Sequence, residues 1–130
     1  MSAWGAGNFE NDDAMDFLGG LGQFQPGQLA SVFARAESGD YLEAPESGVI
    51  VAAAEAVAAS RGAASGSAPQ AIIDWAGKNG ANVPPDMVSL AQRAVQRVRT
   101  NSELRDLWLE ADGLNEWSAA LHDLENRLAG

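Results

Sequence analysis

The chain has 130 residues and no cysteine, which excludes disulfides, thiolate metal sites and thiol nucleophiles; a single histidine likewise excludes a multi-histidine zinc site within one chain. Eighteen acids against eight bases give a formal net charge of −10, concentrated at one end: residues 1–60 hold nine acids and one base (Arg35), residues 61–130 nine and seven. Phosphate neutralisation needs clustered Lys and Arg, so no nucleic-acid partner is expected, whereas a basic protein is easily accommodated.

No stretch approaches the roughly 20 apolar residues of a membrane span, and the N-terminus lacks a basic segment leading into an apolar core, so neither a membrane anchor nor a secretory signal is expected. The length predicts one helical domain over residues 1–130 with a sizeable core. The absence of cysteine fits a reducing compartment, and a cytoplasmic location is expected.

Residues 1–10 read as an irregular arm in which Gly5 and Gly7 permit tight turns. Asn11 suits a helix N-cap, with Asp12, Asp13 and Asp16 favourably placed on the helix dipole. Ala14, Phe17, Leu18 and Leu21 then share one helical face, and the glycines at 19, 20 and 22 stop that helix near Leu21. After Pro26-Gly27, a second helix carries Leu29, Val32, Phe33 and Ala36 and closes at Ser38-Gly39-Asp40. A Tyr41-Leu42-Glu43-Ala44 connector leads to a third helix over 45–61, with Pro45 in its first turn. Its alanines and valines lie on all sides, which predicts a central, buried helix.

Residues 62–68 form a small-residue linker. A fourth helix runs from Pro69 past Ile72 and Trp75 to Gly80, and a fifth follows Pro84-Pro85 with Met87, Leu90, Ala91, Ala94 and Val98 on its face. Thr100-Asn101-Ser102-Glu103 matches a capping box and opens a sixth helix, which Gly113 breaks. The last helix carries Leu114, Trp117, Leu121, Leu124 and Leu128. No segment alternates with period two, so the expected fold is all-α: a compact bundle of six or seven short helices with an irregular N-terminal arm.

The chemistry on offer is thin. Gly5-x-Gly7 before a helix invites a phosphate-loop reading, but it lacks a preceding strand, a third glycine and a lysine. Asp12 and Asp16 share a helix face, yet their spacing fails the calcium-loop pattern. Glu55 is the only charge between Glu46 and Arg61, in a helix that reads as buried; it reads as a boundary position, either solvated or paired with a base from elsewhere such as Arg93 or Arg97. Alternatively Asp12, Glu43 and Glu55 converge on a divalent metal with oxygen ligands. Arg93, Arg97, Arg99 and Arg105 read as a charged face that offsets the acidic half, and His122 has no nucleophile beside it. Trp4 and Phe9 lie outside any helix pattern; they either pin the arm to the bundle or anchor a partner.

The opening motif Trp4-Gly5-x-Gly7-x-Phe9-x-Asn11-Asp12-x-Ala14-x-Asp16-Phe17-Leu18 resembles the start of a family of small acidic bacterial proteins described as a domain of unknown function. Tyr41-Leu42-Glu43, Ala54-Glu55-x-Val57-Ala58-Ala59 and Ser102-Glu103-Leu104-Arg105-x-Leu107-Trp108 extend the likeness along nearly the whole chain, with Gly19-Gly20 as a local departure. The resemblance implies a bacterial, all-helical domain and brings no activity with it. Taken together, the sequence points to a non-enzymatic acidic protein-binding module, of an immunity or antitoxin-like kind, with no cofactor and no metal; its candidate contact residues are Trp4, Phe9, Asp12, Asp16, Glu43 and Glu55. The alternative is a metal-dependent, hydrolase-like protein using the carboxylates.

Overall fold

A computed structural model describes residues 5–130; Trp4 lies outside the described residues. Helix α1 spans Asp12–Gly20, α2 Leu29–Ala34, α3 Ala44–Ser60, α4 Gln70–Asn79, α5 Pro85–Thr100, α6 Glu103–Glu110 and α7 Leu114–Ala129. Short 3₁₀ turns extend α1 (Leu21–Gln23), open and close α2 (Pro26–Gln28, Arg35–Glu37) and follow α4 (Gly80–Asn82). No strand occurs among the described residues, and no helix is long and apolar enough to cross a membrane.

Helix α3 is the axis of the bundle and packs against each of the other six helices. From Ser47 to Ala58 every residue but Val49 is buried, so α3 has no solvent face along that stretch. Its alanines give good helix propensity and let neighbouring backbones come close. A close approach occurs at Gly48, where a Cβ would stand 2.9 Å from Asn11 Oδ1 and 3.2 Å from the Asp13 Cβ. That Asn11 oxygen is the cap of α1, accepting from the Ala14 N–H at 2.8 Å. A side chain at 48 would therefore press on the group that starts the first helix.

The ends of α3 are fixed by specific contacts. At its start, Glu103 Oε1 accepts from the Ala44 N–H (2.8 Å) while the Glu103 N–H donates to the Leu42 carbonyl (2.9 Å), which ties α6 to α3. At its end, Gly62 takes the left-handed conformation (φ 80°) and Ala63 N–H returns to the Ala58 carbonyl at 2.9 Å. Helix α6 ends in the same way with Asp112 (φ 59°) in the left-handed position, and Gly113 N–H returns to the Trp108 carbonyl. Gly113 itself is required for space: a Cβ there would lie 2.5 Å from the Trp108 ring.

Two expectations need correction. The cap of α6 is Ser102 alone, whose Oγ accepts from the Arg105 N–H at 3.1 Å. Thr100 belongs to the last turn of α5, its hydroxyl donating to the Gln96 carbonyl, so the capping-box match at 100–103 was coincidental. The second helix is also broken up: its α-helical part is six residues long, flanked by 3₁₀ turns.

Candidate functional site

Glu55 sits at the middle of α3, 1% exposed. Burying a lone carboxylate in such a setting is prohibitive, so its partners decide what it does. Arg127, from the last turn of α7, grips it with both terminal nitrogens: Nη1 donates to Oε1 (2.8 Å) and Nη2 to Oε2 (2.9 Å). This paired-fork geometry is the strong arrangement for a guanidinium and a carboxylate. Asn8 Nδ2 donates to Oε2 at 2.8 Å from the arm. The guanidinium is itself held by Asp123 (Nε to Oδ2, 2.8 Å) and by the Ala63 carbonyl at the end of α3 (3.1 Å). Its pKa is pushed above the ordinary arginine value, chiefly by the hydrogen bonds to Glu55.

This cluster knots four parts of the chain: the arm through Asn8, α3 through Glu55, the linker through Ala63, and α7 through Asp123 and Arg127. The knot explains why α7 can lie along an otherwise apolar helix in one register. Phe9, next to Asn8, is buried in the core at 9% exposure, and the Gly7 N–H donates to the Glu10 carboxylate at 3.0 Å. Glu10 thereby fills the space over Gly5 and Gly7 that a Cβ at either position would need. The Gly-x-Gly of the opening motif is thus a tight turn closed by its own acid.

The other candidates lie apart. Asp12, Asp16 and Glu43 are exposed, at the start of α1, one turn further along it, and just before α3. Among the described residues no group of three or more His, Cys, Asp and Glu side chains could hold a metal ion, so Asp12, Glu43 and Glu55 do not form one. Nor is Glu55 paired with Arg93 or Arg97. Arg93 pairs with Glu37 (3.0 Å), and Arg97 donates to the carbonyls of Ala36, Ser38 and Asp40 at 2.8–2.9 Å, bracing the turn before α3. Arg99 pairs with Glu125 at 2.6 Å.

Three side chains of the knot, Arg127, Asp123 and Asn8, escaped the sequence reading. Arg127 directly precedes Leu128 and follows Leu124 by three, so it stands at the edge of the buried stripe of α7, where a long cation can reach inward. Asn8 is a polar residue wedged between a turn glycine and a buried Phe; that position was the signal.

The fold and the cluster define an all-helical bundle whose buried acid is neutralised from within. The chain belongs to the family described as Domain of unknown function (DUF4259), whose model matches residues 2–120. No curated protein and no solved structure matches it.

Proposed function

We propose that this chain is a non-enzymatic acidic protein-binding module of an immunity or antitoxin-like kind, which meets a basic protein in the bacterial cytoplasm. The observation that carries the reading is the separation of charge. Residues 1–60 hold nine acids and one base, and Glu10, Asp12, Asp16, Asp40 and Glu43 among them are exposed. Of the cations of the second half, Arg93 offsets one acid of this field, Glu37, whereas Arg97 is engaged by backbone carbonyls, Arg99 by Glu125 and Arg127 by the buried Glu55. Uncompensated surface charge of one sign steers association with the opposite sign and suppresses wrong partners.

The test is affinity capture with the intact chain at low salt and at about 1 M salt, where charges are screened beyond ~3 Å, read by mass spectrometry. A basic protein retained at low salt and released at high salt is the expected result. Recovery of nothing above background at low salt, or of proteins without a basic bias, would sink the reading.

A further inference from the structure

Val49 is the one gap in the cover of α3 between Ser47 and Ala58, and it opens into a groove of about 590 Å³ between α1, α2 and α3. The floor is apolar: half-buried Phe17, Val32 and Val49, with Ile50 beneath. Asp13, Asp16 and Glu46 stand around it, and among the described residues the base lining it is Arg35, which is paired with Glu46. Asp12 and Glu43 adjoin the same helix starts. Asp12, Asp16, Glu43 and Glu46 with Arg35 sum formally to −3. The two helix N-termini return only roughly +0.5 each, so the rim stays anionic.

Resting on the reading above, we infer that this groove seats an amphipathic helix of the basic partner, its apolar face on Phe17, Val32 and Val49 and its lysines or arginines against Asp16 and its neighbours. An all-α fold offers no sheet edge to extend among the described residues. Helix-in-groove docking, with anchors at i, i+3/i+4 and i+7, is the mode that suits an apolar trough between helices. A purely acidic partner is repelled by the rim, and a purely polar basic one leaves the floor uncovered.

The probe is a synthetic peptide of about four helical turns with leucines on one face and lysines on the other, beside its sequence-scrambled isomer and its glutamate-for-lysine counterpart. Amide shifts of the labelled full-length protein are expected to move within 12–17, 31–35 and 45–50 with the first peptide only. Asp16→Lys should weaken binding and Arg35→Ala, which frees Glu46, should tighten it, each by about two- to fivefold; Val49→Lys should weaken it about tenfold or more. Asp16 and Arg35 are exposed, so these two variants carry the test even if Val49→Lys folds poorly. The inference is overturned by shifts that map elsewhere, by equal binding of the scrambled isomer, or by indifference to both Asp16→Lys and Arg35→Ala. Concentration-dependent broadening of these same residues without peptide would also overturn it, because a second copy would then fill the groove. If Asp16→Lys and Val49→Lys still capture the basic protein in a salt-sensitive way, the groove is wrong and the binding function stands; if the unaltered chain captures none, both fall.

Discussion

Glu55 and Asp16 are carboxylates on neighbouring helices with opposite fates. Glu55 is 1% exposed and holds three hydrogen bonds from Arg127 and Asn8. Asp16 is exposed on the rim of an apolar groove. By sequence, Glu55 is the anomaly, an isolated charge in an alanine helix, and Asp16 is ordinary helix-start decoration. In the structure the anomaly is consumed by the fold, and the ordinary acid is left free to meet another molecule. A buried charge advertises a need, and the fold satisfies it before any ligand can; surface acids over an apolar floor carry no such debt.

The largest expected effect tests the buried side of the comparison. Arg127→Ala strands Glu55 without its counter-charge and should cost about 3–5 kcal/mol in urea unfolding, whereas Asp16→Ala should change stability by no more than about 0.5 kcal/mol. Equal effects would dissolve the distinction. The double replacement Glu55→Leu with Arg127→Met removes the charge instead of orphaning it, and should recover most of the loss. If the double variant is as unstable as Arg127→Ala alone, packing around the guanidinium stem, and not the ion pair, is what matters there.

Asn8→Asp should cost less, about 2 kcal/mol. The change is isosteric, so no cavity forms. It replaces a donor 2.8 Å from Glu55 with a second carboxylate, and like charges at that range disfavour one another. Limited proteolysis should then cut the arm near Phe9 faster than in the unaltered chain. An arm that stays protected, with unchanged stability, would leave Phe9 alone as the latch.

Helical periodicity made most of the bundle legible. The stripe Leu121, Leu124, Leu128 and the all-round apolar character of 50–58 each name a face, and burial follows faces. The central place of α3 followed from the same reasoning. What stayed hidden depends on which side chains meet across distant segments. Glu55 needed a cation, but nothing local distinguishes Arg127 from Arg93 or Arg97; only the packing of α7 on α3 does. The Thr100 capping match failed because Ser102 offers the same hydroxyl two residues later, where the backbone has already left α5. The groove was illegible for a related reason: it is a gap between three helices, and a gap has no residue pattern of its own.

Asp106 stands between the two extremes, a surface acid that has found one partner. It accepts from the Tyr41 hydroxyl at 2.9 Å, joining the connector before α3 to α6. That hydrogen bond, then desolvation and the nearby charges of Asp106, Glu103 and Glu110, raise the phenol above its ordinary value. Tyr41 is the only tyrosine of the chain, so the absorbance of tyrosinate reports it alone. Its midpoint should lie above the usual value of about 10, and Asp106→Asn should bring it back down. The sign for stability follows: a folded-state pKa above the unfolded one means the contact contributes fully below about pH 10 and is lost as pH rises through the folded value. The contact is exposed, so its contribution is the smallest of those considered, and a midpoint that Asp106→Asn leaves unmoved would strike out Asp106 as the cause. With it would go the idea of a graded series, in which a carboxylate's fate runs from sealed (Glu55) through singly paired (Asp106) to open (Asp16) according to what the neighbouring helix can offer it.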